Sequence, residues 1–204
     1  STARFANVAF SDGSLLHGFN QRIQKKQPLS APSDVKRYFV TAKEAGELCL
    51  LSGLLGQNRE IYFPKLSQKL NLISFDQIAI KYLKQLGYEP VICETEDEAR
   101  QTVEILSKEK KWPCYFFTSD TTGEKAFEEF FTEGDVIDLD RFADIGVIKS
   151  ELEFDQNKLQ FFLSKIEGMK SKGSWSKQEI VNLFNDMIPN FNHLETNKYL
   201  DDKM

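Results

Sequence analysis

The side chains able to do chemistry in this chain are few and widely spaced. Asn7 stands just before the end of an apolar opening segment. Its neutral amide can donate to a phosphate oxygen without adding charge, or simply hold a strand end. Gly13, Ser14 and Leu15 then open a helical repeat, and backbone N–H groups there offer a place for an anion or a polar base edge. Gly13 can equally serve only to supply a positive φ. Arg37 can hold a phosphate through two parallel bonds, or pair at the surface with Asp34. Glu124 can accept two hydroxyl hydrogen bonds, with Lys125 as its basic neighbour, or be an acid favoured at a helix start.

Other chemistries lack the residues they need. His17 and His193 are the only histidines and lie far apart, whereas a zinc site needs closely spaced thiolates or imidazoles. Cys49, Cys93 and Cys114 each sit among apolar neighbours, which reads as reduced, buried thiols in a cytoplasmic protein. Glu124, Glu128, Glu129, Glu133 and Asp135 follow helical spacing in part and read as a solvated face. No pattern sets two acids across a cleft with split pKa values, as glycosidase chemistry requires.

These residues need an alternating α/β framework to position them. Thr2–Phe10 reads as a buried strand, residues 14–26 as an amphipathic helix, and the two prolines of 27–34 as a loop or short extended piece. Lys36–Val40 is a short strand. Thr41 and Glu44 form a capping box for a helix to about Leu55, with Ala45, Leu48, Leu51 and Leu55 on its buried side and Gly56 as its stop. Strands are expected at 61–63, 88–93 and 114–117. Capping boxes at Ser74–Gln77 and Thr95–Glu98 start the helices between them. A helix is expected over 124–131. Asp155 caps a further helix, and Ser176–Glu179 boxes a last one.

The order Arg4-Phe5-x-Asn7-Val8, then Gly13-Ser14-Leu15-Leu16, then Arg37-Tyr38-Phe39-Val40-Thr41 resembles the second half of extended short-chain dehydrogenases acting on nucleotide sugars. The likeness is to their polysaccharide-biosynthesis branch, the UDP-N-acetylglucosamine 4,6-dehydratases and related nucleotide-sugar epimerases. Glu60-Ile61-Tyr62-Phe63-Pro64-Lys65 and Thr122-Gly123-Glu124-Lys125 resemble two further segments of that branch. The matches cover about residues 1–131. They imply a mixed α+β substrate-binding portion over 1–133, without the Rossmann half. From Gly134 the residue pattern changes, and 134–204 reads as a helical C-terminal extension.

The resemblance gives the candidate residues roles. Asn7 would hydrogen-bond the sugar-nucleotide diphosphate, Arg37 would pair with it, and Glu124 would lie near the ribose hydroxyls, with Gly13, Ser14, Leu15 and Lys125 completing the substrate site. Phe10, Trp112 or Phe116 can stack on a uracil ring, core packing being the competing role. Catalytic residues are expected in the absent half, because this chain has neither a Gly-rich strand-to-helix fingerprint nor a Tyr-x-x-x-Lys pair. The chain alone would bind no cofactor; the full-length parent would use NAD or NADP. Thr121 stands where the family usually has a nucleotide-directed Arg. Residues 87–118 read as an insertion that reshapes the sugar pocket or makes an interface.

Composition sets the outer bounds. Twenty-six basic against 31 acidic residues give a net charge of −5, which disfavours general nucleic-acid binding. At 204 residues and 41% hydrophobic, with 17 Phe, the chain can bury an aromatic core. No apolar run nears the ~20 residues that span a bilayer, so the expectation is a cytoplasmic protein without a membrane partner. A chain opening on a strand, with no initiator Met or leader, reads as cut from something longer. Its expected partners are a UDP-sugar, the missing Rossmann half and further copies of itself, paired through the Ala3, Phe5, Val8 and Phe10 edge. Two other readings stay open: a free-standing module that senses a nucleotide sugar, and a structural piece whose helical extension mediates oligomerisation.

Overall fold

The computed structural model describes residues 1–65, 72–124, 128–150, 155–188, 191 and 193–198. The chain divides into two compact units, Ser1–Ser119 with Lys125–Ser150, and Asp120–Glu124 with Glu151–Met204. The fold is α/β.

In chain order the first unit runs β1 (Thr2–Ala3), β2 (Asn7–Val8), α1 (Leu15–Gln24), β3 (Leu29–Pro32), β4 (Lys36–Arg37), β5 (Phe39–Val40) and α2 (Ala42–Leu55). It continues with β6 (Glu60–Pro64), β7 (Ile73–Ser74), α3 (Phe75–Gln85), β8 (Glu89–Cys93), α4 (Glu96–Lys108), β9 (Lys111–Phe117), β10 (Val136–Asp138) and β11 (Ile145–Lys149).

The opening segment is not one buried strand. β1 pairs in parallel with β6, and β2 pairs in parallel with β5 in a different sheet. The chain changes partner across Arg4–Ala6, so no ladder runs through it, and Phe5 and Phe10 are left 43% and 51% exposed. The 36–40 strand divides for the same reason: β4 pairs antiparallel with β7, while β5 pairs with β2.

The larger sheet has the order β1-β6-β11-β10, with β11 antiparallel to β6. Successive residues of β6 face opposite sides, and two cores follow from that. Tyr62 packs with Leu48 and Val147 on the side covered by α2. Phe63 packs with Phe130 and Ile148 on the other. The second sheet is wholly parallel, in the order β3-β9-β8, with α4 as the crossover between β8 and β9. Residues 87–118, expected to reshape the sugar pocket or make an interface, hold this β8–α4–β9 unit. Its Val103, Trp112 and Cys114 join Phe19, Leu29 and Leu83 in the main core, and Trp112 Nε1 donates to the Gln27 carbonyl at 3.0 Å.

Local signals explain most helix starts. Thr41 and Glu44 form the complete capping box, with Thr41 N–H donating to Glu44 Oε2 at 2.7 Å. Thr95 caps α4 through the Glu98 N–H. Glu98 accepts instead from the Glu94 N–H, at 2.8 Å, so that box closes on one side only. Ser74 makes no side-chain cap bond; it is held in β7, opposite Lys36. On α2 the buried residues are Ala45, Leu48 and Ser52. Leu55 is exposed, and so is Cys49, against the expectation of three buried thiols; Cys93 and Cys114 are buried.

A helical extension is expected from 134, yet the β-branched runs Val136–Asp138 and Ile145–Lys149 form a hairpin, β10 and β11, that extends the sheet of β6. An ion pair pins it. Arg141 Nη1 lies 2.8 and 2.9 Å from the two carboxylate oxygens of Glu60, and its Nη2 donates to the Leu55 carbonyl at 2.8 Å. Burial pushes the Glu60 carboxyl up, but the Gln57 N–H and Arg141 together outweigh it and hold the carboxyl below its ordinary value. A helix over 124–131 is not what forms at Glu128–Phe131. These residues are non-helical, because the Phe130 ring is buried against Phe63 and Tyr38.

In the second unit α5 (Gln156–Lys172) and α6 (Lys177–Met187) pack through Phe162 and Phe184, whose rings meet edge to face at 5.3 Å. Asp155 caps α5 by accepting from Asn157 and Lys158, and Ser176 and Glu179 form a complete box on α6. Glu195 gathers Lys177, His193 and Thr122. Lys177 foremost holds its carboxyl far below the usual range.

Candidate functional site

The parallel pairing of β2 with β5 positions the first candidate residues. Asn7 lies opposite Phe39, and its N–H donates to the Tyr38 carbonyl at 3.0 Å. This sets Asn7 beside the segment that carries Arg37. Between them opens a cavity of about 380 Å³, lined by Arg4, Phe5, Asn7, Tyr38, Glu128 and Glu129, with Ala6 and Phe130 completing the wall. It lies wholly within the first unit.

Arg37 is buried. Its Nη1 donates to the Lys36 carbonyl at 2.9 Å, its Nε is 3.7 Å from Glu128 Oε1, and its guanidinium lies 5.8 Å from the Phe75 ring centre. Asp34, the surface partner weighed for it, accepts from the Ser119 N–H at 2.8 Å. Glu128 thus presents a carboxylate to both Arg37 and the cavity. Arg4, a cation of the cavity lining, donates through Nη1 to the Phe130 carbonyl.

Beyond β2 the chain turns into α1. Gly13 takes φ +76°, the backbone freedom expected of it, and Phe10 takes φ +59°, which is uncommon for a bulky side chain. Ser14 is the N-cap, accepting from the His17 N–H at 3.3 Å, and Leu15 is the first helical residue. The phenol of Tyr82, 6.0 Å from Phe10 ring to ring, donates to Asn20 Oδ1 at 2.5 Å. Trp112 is buried in the core, while Phe116 packs against it half-buried.

Glu124 lies in the second unit, where its N–H donates to the Thr121 carbonyl at 3.2 Å. Lys125 lies outside the described residues. Apart from Asn7, the residues of the cavity were not among the site residues expected from the sequence. Arg4, Phe5 and Tyr38 stood inside the quoted motifs. Glu128 and Glu129 stood inside an acidic run that reads as solvated; both are exposed, but they line a concavity. A second hollow, of about 360 Å³, lies between α2 and β6 and includes Phe5, Val40, Leu48, Leu51, Pro64 and Ile145.

Among the described residues no cluster of three or more His, Cys, Asp or Glu can hold a metal ion, and no helix is long and apolar enough to cross a membrane.

Residues 1–150 match the family described as "Polysaccharide biosynthesis protein". The chain is 27% identical, over 153 residues, to an uncharacterized membrane protein of Methanocaldococcus jannaschii; the match covers 72% of this chain and 39% of that protein. It is also 27% identical, over 134 residues, to "Probable polysaccharide biosynthesis protein EpsC" of Bacillus subtilis, covering 65% of this chain and 19% of EpsC. The chain therefore spans well under half the length of these relatives. Among solved structures, Pen from Bacillus thuringiensis superposes with a TM-score of 0.53 at 19% identity, over 74% of this chain and 40% of Pen. That likeness is one of fold.

Proposed function

This chain belongs to the polysaccharide biosynthesis protein family, and from that footing we propose that it is the substrate-binding part of a nucleotide-sugar 4,6-dehydratase or epimerase. The substrate would be a UDP-N-acetylglucosamine-like sugar nucleotide. The carrying observation is the pairing of β2 with β5. It sets Asn7 against Tyr38 and Phe39, next in sequence to Arg37, at the rim of a cavity of about 380 Å³. An amide and a guanidinium at the mouth of a hollow suit the diphosphate of a sugar nucleotide, and the hollow suits the rest of the ligand.

Arg37 already faces Glu128, so a diphosphate reaching it would displace that carboxylate or share the guanidinium with it. The residues present do not fit a dinucleotide: the sequence has no Gly-rich strand-to-helix turn and no Tyr-x-x-x-Lys pair. NAD or NADP therefore belongs, in this reading, to the rest of a longer parent, and no hydride step is derived for these residues. The same missing motifs favour, as a second reading, a module that binds a nucleotide sugar without transforming it. The exposed Phe5 and Phe10 beside β1 and β2 suit contact with that parent or with another copy. Free thiols at Cys49, Cys93 and Cys114 suit a cytoplasmic setting.

Calorimetric titration of UDP and UDP-N-acetylglucosamine into the chain and into Arg37→Ala tests the proposal. The expected result is binding by the native chain and a loss of about tenfold or more in the variant. Equal binding by the two would remove Arg37 from the site. No binding by the native chain would remove the proposal.

A further inference from the structure

The cavity beside Asn7 is poorly made for a phosphate. Among the described residues its lining holds one cation, Arg4, against two carboxylates, Glu128 and Glu129. That cation is engaged on the Phe130 carbonyl. The neighbouring Arg37 is engaged by Lys36 and Glu128. A dianion in the cavity would lie beside carboxylates with both nearby guanidinium groups already committed, and like charges at such range oppose binding.

The uncommitted groups have a different character. Among the described residues, the Glu129 carboxylate, the Tyr38 hydroxyl and the Asn7 side-chain amide take no hydrogen bond or ion pair within the protein. The first only accepts, whereas the other two both donate and accept. The volume stands at the low end of the ~300–1,000 Å³ range of small-molecule sites. It is lined on its apolar side by Phe5, Tyr38 and Phe130.

We infer that this cavity seats an uncharged, hydroxyl-bearing ring, an N-acetylhexosamine by chemical class, with Glu129 accepting from its hydroxyls and Asn7 and Tyr38 fixing its orientation. The inference rests on the nucleotide-sugar reading for what brings the ring there, and it moves the diphosphate out of the cavity, toward its mouth. Glu129 becomes the residue that discriminates sugar from anion.

The test is a backbone-amide NMR titration of the full chain with free N-acetylglucosamine and, separately, with UDP. Native protein is compared with Glu129→Gln and Tyr38→Phe, and thermal melts check that both variants fold. The expected result is that N-acetylglucosamine moves the amides of Asn7, Tyr38 and Glu129. Its titration midpoint should rise about tenfold in Glu129→Gln, the loss of a hydrogen bond to a charged acceptor, while the UDP midpoint stays unchanged.

If UDP moves those same amides and Glu129→Gln tightens it, the cavity is a phosphate seat and the inference is overturned. If UDP binds but N-acetylglucosamine moves none of these amides, with or without UDP, the ring seat falls and the nucleotide reading stands. If N-acetylglucosamine binds in a Glu129-dependent way while UDP binds nowhere, the ring seat holds and the nucleotide reading falls.

Discussion

Gly146→Ala is a small change with a calculable consequence. Gly146 sits in β11 directly opposite Phe63 of β6, and the Phe63 ring lies over it. A methyl group there would meet ring atoms at 2.3, 2.7 and 2.8 Å, where ordinary contact begins near 3.4 Å. The ring must therefore retreat by about 1 Å. It has nowhere to go: Phe63 is fully buried, with Phe130 and Phe131 at 6.2 and 5.3 Å ring to ring. Overpacking of this kind costs about 1–3 kcal/mol. Removing a strand glycine returns about 0.5–1 kcal/mol of backbone entropy, so the net loss should lie between about 0 and 2.5 kcal/mol. Urea unfolding followed by tryptophan fluorescence reads it as a lower midpoint at unchanged slope. A second arm isolates the cause: with Phe63→Leu already in place, Gly146→Ala should cost less, giving a non-additive cycle. A midpoint that rises in the single variant would show that backbone entropy wins, and would refute the steric argument.

Other perturbations have equally definite outcomes. Thr41→Ala removes the cap of α2 and should cost about 1 kcal/mol, read as a lower urea midpoint. Glu60, whose folded carboxyl is held below its ordinary value, contributes stability that is complete above the unfolded Glu pKa of about 4.3. That contribution is lost as pH falls through the folded value, so the stability gap between native protein and Glu60→Gln should close in acid. A pH-independent gap would mean that the ion pair with Arg141 adds nothing. Thiol labelling of the native chain should modify Cys49 first, because it alone is exposed. Burial pushes the Cys114 thiol up to about 12, so it should react only after denaturant is added.

What the sequence made legible was local. The Thr41–Glu44 and Ser176–Glu179 boxes, the Asp155 cap and the positive φ of Gly13 depend on residues within one turn of each other, and each formed. What stayed hidden depended on partners distant in sequence. Nothing near Arg37 announces Glu128, and nothing near Glu60 announces Arg141. The opening segment has the composition of a buried strand, but its two halves answer to different sheets. Ser74 had the residue type of a cap and was taken by a strand ladder instead. The cavity was half legible: Asn7 stood out as an amide at a strand end, whereas Glu129 looked like any solvated acid until the 128–130 segment folded against β2 and Tyr38.

The pairing of β6 with β11 also dictates an order of events during synthesis. Ile61 finds its partner in Ile148, and Leu29 of the second sheet finds Cys114, each more than eighty positions later. Such distant closures are slow, since the loop entropy is spent before any contact repays it. Until about residue 150 has left the ribosome, β6 has an unpaired edge and Phe63 lacks the cover of Phe130 and Ile148. A nascent chain paused before that point would carry an open aromatic strand and be prone to pair with others, so slow translation of residues 136–149 would be a hazard for this protein.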